Sequence, residues 1–336
     1  MKKIIIIKIC LFLLVCLPLN LFSQDSKYEV KDFIKIGGEA KWDYLTVDNT
    51  IQKLFVSNSS KVHVIDLNNN KIVAEISGLS GVHGVVMADE FGKAYISEGG
   101  SNSIAVIDTK TFKLINTLKI DGKKPDAIYY DGFSKKVYVC NGGSDNITVI
   151  DPKTDKTVAT IKLDGAPESP IGDMKGKIFV NIEDKNEVQV IDTKSFKVLN
   201  TWSLSPCATP TGIAMDIKNN RLFVGCRSKH GVVLNAENGK ILAQLPIGAG
   251  VDAGGFDPET KLIFFSCKEG VISVAKENSP NDFVFLYNIK TEPGAKNMVL
   301  DMITHKIYAS ASKEMNTESN SNAKPEKMFG VLVIDK

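Results

Sequence analysis

One short motif returns along this chain at a period that few folds can use. Val-Ile-Asp stands at Val64-Ile65-Asp66, Val106-Ile107-Asp108, Val149-Ile150-Asp151, Val190-Ile191-Asp192 and Val333-Ile334-Asp335, with Val233-Leu234-Asn235 a weaker copy. The first five, counting the weaker one, follow one another at 42, 43, 41 and 43 residues. A constant period of about 40 to 45 residues is that of β-propeller blades. A second column precedes each triplet: Leu54-Phe55-Val56, Ala94-Tyr95-Ile96, Val137-Tyr138-Val139, Ile178-Phe179-Val180, Leu222-Phe223-Val224, Ile263-Phe264-Phe265 and Ile307-Tyr308-Ala309, seven copies in all. Aromatic and β-branched residues suit strands, and turn formers such as Asn68-Asn69-Asn70 separate the runs. Upstream of the aromatic lies a third column, Asp48, Asp131, Asp216, Asp257 and Asp301, with Ala88 and Gly172 as exceptions.

Each unit reads as four strands, which make one blade. The strands are almost continuously apolar, which fits sheets covered on both faces by neighbouring blades. Blades are predicted to begin near Gly37, Ser80, Asp121, Asp164, Ser205, Gly248 and Glu292. The last ends at Asp335 without an outer strand, and residues 27–36 form a strand without a blade. The expected fold is therefore all-β: a seven-bladed β-propeller closed by the N-terminal strand, which removes an exposed edge. Blade six departs most from the pattern, with Lys276-Glu277-Asn278-Ser279-Pro280-Asn281-Asp282 inserted before its last strand. The polar run from Lys313 to Lys327 reads as a long loop of blade seven whose composition favours disorder.

The repeat resembles that of the YVTN family, with Val137-Tyr138-Val139-Cys140-Asn141 followed by Ile147-Thr148-Val149-Ile150-Asp151 the nearest copy. Within that family the chain is similar to the exported YncE-like propellers, through His83-Gly84-Val85, Gly212-Ile213-Ala214-Met215-Asp216 and Gly248-Ala249-Gly250-Val251-Asp252. The resemblance covers essentially all of residues 24–336, expected to be a single domain. It implies a seven-bladed ring in the cell envelope, in a family whose members are assigned binding roles or none.

Export is also legible at the start of the chain. Lys2, Lys3 and Lys8 precede an apolar run from Ile9 to Leu17 that Pro18 breaks. Nine residues are too few for a bilayer, which needs roughly 20, so residues 1–23 read as a signal peptide cleaved after Ser23. Lipidation at Cys16 and an uncleaved anchor are the alternatives. A periplasmic or extracellular monomer is expected, with no transmembrane span once the signal is removed. The whole chain has 41 basic and 39 acidic side chains. Residues 24–336 keep 38 basic against 39 acidic, a net of −1. Nucleic acid, which asks for a basic footprint, is not an expected partner.

Cys10 and Cys16 lie in the signal segment, leaving Cys140, Cys207, Cys226 and Cys267. Export favours disulfides. Cys207 lies in the loop leading into blade five and Cys226 follows that blade's second strand, on the same face, so these two are the predicted pair. Cys267, at the equivalent position one blade further, competes for Cys207. Cys140 is expected to remain a free thiol.

Chemistry in a propeller concentrates at the mouth of the central channel, where loops from every blade meet. Five residues before the Asp column stand Asp43, His83, Asp126, Thr211, Asp252 and Lys296, while blade four, with its shorter turn, offers Glu168. Trp42, Tyr44 and Arg227 are predicted to join them, with Asn58, Glu98, Asn141, Glu183 and Glu269 nearby. Such a mixed-charge ring can hold a cationic group of an envelope protein, peptide or small ligand. The alternative is a metal-dependent hydrolase or lactonase, with a divalent cation such as calcium on Asp43, Asp126, Glu168, Asp252 and Asn297. No catalytic motif is present: there is no Gly-x-Ser-x-Gly, no His-Glu-x-x-His and no phosphate-binding loop. One ring histidine without a paired nucleophile makes no catalytic case, so the reading is a non-catalytic binding propeller, with no cofactor assigned.

Overall fold

The Val-Ile-Asp triplet has two jobs, and both follow from its place at the end of the third strand of a blade. Val64, Ile65, Val106, Ile107, Val149, Ile150, Val190 and Ile191 are fully buried between sheets. The Asp then caps the turn to the fourth strand. Asp66 Oδ1 accepts the Asn68 amide at 2.9 Å, Asp108 the Thr111 amide at 2.7 Å, Asp151 the Lys153 amide at 2.9 Å and Asp192 the Ser195 amide at 2.7 Å. Asn235 does the same for Glu237 at 2.8 Å. A short side chain that bonds backbone two or three residues on is what tightens such turns.

The upstream Asp column serves the hairpin between the first and second strands in the same way. Asp48, Asp216, Asp257 and Asp301 accept the amides of Thr50, Lys218, Glu259 and Ile303 at 2.8 to 2.9 Å. Blade four carries its Asp one residue later: Asp173 Oδ1 accepts the Lys175 and Lys177 amides at 2.7 and 2.9 Å. In blade two, which has Ala88 at this place, a 3-10 turn over Asp89–Phe91 makes the connection.

The computed structural model describes residues 27–38, 41–315 and 326–336, and these form seven four-stranded antiparallel sheets, each one blade. The predicted signal segment, with Cys10 and Cys16, lies outside the described residues, as do residues 316–325 of the polar run. The flanks of that run are strand, Ile307–Met315 pairing with Glu326–Asp335. Blade three is typical, with strands Pro125–Asp131, Lys136–Asn141, Asn146–Asp151 and Lys156–Lys162 in order from the axis outward. The second-column aromatics Phe55, Tyr95, Tyr138, Phe179, Phe223 and Phe264 are completely buried, each contributing about 1.5 to 3 kcal/mol.

Closure falls where the repeat count requires it. Glu29–Lys35 pairs antiparallel with Glu326–Asp335 and becomes the outer strand of blade seven. Tyr28 and Ile34 are buried against blades six, seven and one, and the Tyr28 hydroxyl donates to the His305 carbonyl at 2.9 Å. The blade-six insertion is a hairpin extension, with Val271–Ser279 and Asp282–Lys290 paired nearly to the turn. Arg221 Nε donates to the Pro280 carbonyl at 2.5 Å and Phe283 packs on Phe223 at 6.0 Å, so the extension docks on blade five. His230 opens strand His230–Asn235, and its Nδ1 lies 2.9 Å from the Ser228 carbonyl. No helix among the described residues is long and apolar enough to cross a membrane.

Candidate functional site

The inner strands are not regular at the mouth. In blades one to six the register between first and second strand slips at Trp42/Leu45, Val82/Val85, Pro125/Ile128, Pro167/Pro170, Pro210/Gly212 and Val251/Ala253. A bulge re-aims a side chain and ends local pairing, and Asp43, His83, Asp126, Glu168, Thr211 and Asp252 sit inside these six. In blade seven the inner strand is only Met298–Leu300, so Lys296 and Asn297 precede it. In blades one to six the polar residues thus occupy the place on the inner strand where the ladder is interrupted.

Two groups of contacts result. In blades one to three, His83 Nδ1 lies 2.6 Å from Asp43 Oδ2 and 3.6 Å from Asp126 Oδ1. In blades four to seven, Arg227 reaches three acids: Glu183 Oε1 at 2.5 Å, Asp252 Oδ1 at 3.0 Å and Glu168 Oε1 at 3.8 Å. Lys296 Nζ pairs with the other oxygen of Asp252. The buried Asn297 amide joins the groups, its Nδ2 at 3.2 Å from Asp252 Oδ2 and 3.5 Å from Asp43 Oδ1.

The fields are correspondingly strong. Burial pushes the Asp126 carboxyl up to about 6, against the pull of His83 and with the repulsion of Asp43 and Asp252. Glu168 is driven well above the usual carboxylate range by burial and by Asp126 and Asp252. The Asp43 hydrogen bond raises His83 despite burial. Burial alone would lower Lys296, but Asp252 outweighs it and holds the ammonium above its ordinary value. Tyr44 is raised far up by burial and by Glu168, so its hydroxyl stays neutral.

Below the mouth lies a cavity of about 180 Å³, lined by Tyr44, Val85, Ile128, Ser169, Pro170, Ile213, Asp252 and Met298 among others. At about 30 Å³ per water it admits some six waters or one small organic group. Tyr44 and Asp252 were among the predicted site residues, but the aliphatic lining was not, because Ile128 or Met298 in a strand reads as core.

Several predicted neighbours do other work. Thr211 is fully buried and its hydroxyl donates to the Val251 carbonyl at 2.5 Å, tying blade five to blade six rather than facing the channel. Trp42 stacks on Phe329 at 5.5 Å on the rim. Glu98 accepts the Ser80 amide at 2.9 Å, Asn58 accepts the Lys41 amide at 3.2 Å, and Asn141 donates to Asn146 and Thr148 within its own blade. Glu269 pairs with Lys229 at 3.9 Å. Cys207 and Cys226 form a disulfide with Cα atoms 5.6 Å apart, pinning the loop into blade five beside Arg227, while Cys140 and Cys267 are buried free thiols.

One polar pair outside the mouth gave no sequence signal. Glu277, in the blade-six extension, is buried beside Asp216, and Asn219 Nδ2 donates to both, at 2.9 and 2.7 Å. Burial and then Asp216 push Glu277 up to about 7.

Fold and site together define a seven-bladed propeller with a charged channel mouth. No family model matches the chain and no curated protein matches it. Solved structures do: 1756 chains match, so the architecture is too widely shared to name an activity. One of them is a chain of hydrazine synthase from Kuenenia stuttgartiensis, with a TM-score of 0.70 and 16% identity over 82% of this chain and 94% of that one. At that identity the likeness shows the fold.

Proposed function

We propose that this chain is an exported, non-catalytic binding propeller of the YVTN type, related to the YncE-like group, whose mouth holds a cationic group of a peptide, protein or small ligand. The observation that carries this reading is the excess of carboxyl groups at the mouth. Asp43, Asp126, Glu168, Glu183 and Asp252 converge there against Arg227, Lys296 and His83. Glu168 is driven well above the carboxylate range and Arg227 and Lys296 match Glu183 and Asp252, so Asp43 and Asp126, with only His83 between them, are the unmatched acids. A low-dielectric wall around them favours an incoming cation over an anion, and the cavity below offers apolar cover for the rest of a small ligand. Export, cleavage near Ser23 and the YVTN assignment rest on the segment before Gln24 and on the repeat columns.

The hydrolase alternative has less support. Of its five proposed ligands, Glu168 and Asp252 face Arg227 and Lys296, and a calcium ion would have to displace both cations.

The test is a calorimetric panel of short peptides ending in arginine or lysine, each paired with its citrulline or acetyl-lysine counterpart. The cationic member of each pair should bind, weaken with salt, and lose at least about tenfold in affinity when Asp43, Asp126 and Asp252 are all changed to Asn. Equal binding of neutral and cationic members, or no effect of the triple change in a folded protein, would refute the reading.

A further inference from the structure

We infer that Asp43, His83 and Asp126 form a site for a divalent transition-metal ion of the zinc class. This rests on the mouth being a cation site but assigns one side of it a different occupant from the amine-type ligand proposed above. One oxygen from each carboxylate and one imidazole nitrogen lie within 4.8 Å of one another. The three residues come from equivalent bulges of three consecutive blades, so the backbone, not a mobile loop, aims them at a common point. A tetrahedral ion with bonds of about 2.0 to 2.2 Å needs ligand atoms about 3.3 Å apart. The observed 2.6 and 3.6 Å separations bracket that value, and small side-chain rotations reach it.

Two further observations point to a ligand here. The first is Asn297. Its side chain is completely buried, its Nδ2 already reaches Asp43 Oδ1 at 3.5 Å, and its Oδ1 has no hydrogen-bond partner. A buried amide oxygen without a donor is costly. With an ion on Asp43 to offset carboxylate repulsion, a half-turn of the amide would bring that oxygen to the metal, at the cost of the present Nδ2 contact with Asp252 Oδ2 at 3.2 Å. The second is the seating of the imidazole. A Cβ on Gly99 would lie 2.6 Å from His83 Nε2, so the absence of a side chain there is what lets the ring lie with Nδ1 toward the carboxylates.

The donor set decides the class of metal. Calcium prefers six to eight oxygens, whereas this side of the mouth supplies one imidazole and two carboxylates, a set suited to zinc and its neighbours. Glu168 and Asp252, which would enlarge the oxygen count, are held by Arg227 and Lys296. Binding would displace any proton from His83 Nδ1 to solvent, leaving the remaining one on Nε2.

The experiment uses the full chain, stripped by chelator and titrated with zinc chloride, cobalt chloride and calcium chloride at pH 7.5. One zinc per chain should bind at least about 100-fold more tightly than calcium, and cobalt should develop the visible bands of a low-coordinate nitrogen and oxygen site. His83→Asn should weaken zinc by at least about tenfold, and Arg227→Gln should leave zinc affinity within about threefold, as a change at a group outside the three ligands should. If His83→Asn fails to fold, Asp126→Asn should weaken zinc by at least about tenfold in its place. No zinc uptake, calcium as tight as zinc, or zinc affinity indifferent to both changes would overturn the site. Zinc failure with cationic peptides still bound would overturn the metal alone. Zinc bound with no peptide bound would overturn the peptide reading alone.

Discussion

The two sides of the channel mouth start from the same repeat position and solve the burial of carboxylates differently. On the side of blades four to seven, cations come from the chain itself: Arg227 spans Glu183, Asp252 and Glu168, and Lys296 closes on Asp252. On the side of blades one to three, Asp43 and Asp126 have between them His83, whose charge depends on pH. The first side is a locked network and the second an incomplete one. An incomplete charge set is where a ligand has something to gain, because binding supplies what the fold has left out. The opposite face adds a third solution at Asp216 and Glu277, where Lys261 pairs with Asp216 at 3.5 Å and Glu277 is pushed up toward its protonated form.

The comparison depends on the ring being closed, since Asn297 of blade seven touches both Asp43 and Asp252. A chain beginning at Gly37 should separate the two sides. It loses the burial of Tyr28 and Ile34 and the pairing of Glu29–Lys35 with Glu326–Asp335, a destabilisation of at least about 4 kcal/mol from side-chain burial and edge exposure. Denaturant unfolding of both chains checks this, and equal midpoints would show that the seam does not hold the ring.

Arg227→Gln should make the locked side resemble the open one. Asp252 is 4% exposed and would keep only Lys296 and Asn297. Breaking a buried pair costs about 3 to 5 kcal/mol, but the Arg227 side chain is 40% exposed, so solvent screening reduces the expected loss to about 1 to 2 kcal/mol. The released acids should also tighten binding of arginine-ended peptides. A variant as stable as the parent, with unchanged peptide affinity, would mean that the lock is not energetic.

Glu277→Gln tests the proton-based solution. In the folded protein Glu277 titrates near 7, against 4.5 for the free side chain. Below 4.5 both states keep the proton. Between 4.5 and 7 the unfolded chain releases its proton first, so stability falls as pH rises, and above 7 the loss is constant. The glutamine, which cannot ionise, should remove that slope and gain on the order of 1 kcal/mol at pH 8, roughly 2 °C in Tm for a protein of this size. Parallel stability curves for parent and variant from pH 5 to 8 would contradict it.

Much of the architecture was legible because a propeller repeats one physical solution. The Asp columns recur because each hairpin needs a side chain that caps a tight turn, and the aromatic column recurs because each sheet is covered on both faces. Gly172 looked like an exception, yet Asp173 takes over the cap one residue later. The blade-six insertion was legible as extra length but not as a docked hairpin extension, because its seating involves Arg221 and Phe223 of the neighbouring blade. In the candidate site, Asp43, His83, Asp126, Glu168 and Asp252 were found by column position alone. Thr211 shared that position, but its hydroxyl is taken by the Val251 carbonyl, a contact between blades that no period within one blade can reveal.

The sequence by itself determined the blade number, the closing strand and the ring of polar positions, since these follow from periodicity, turn chemistry and an unpaired edge. Only the tertiary structure decided which charges meet. Arg227 lies 25 residues from Asp252 and 44 from Glu183, and Asn297 lies 254 from Asp43. Such pairings are set by the rotation from one blade to the next and by the bulges that turn each side chain inward. Electrostatic partnership acts through space over a few ångströms, whereas a repeat records only what each blade needs for itself.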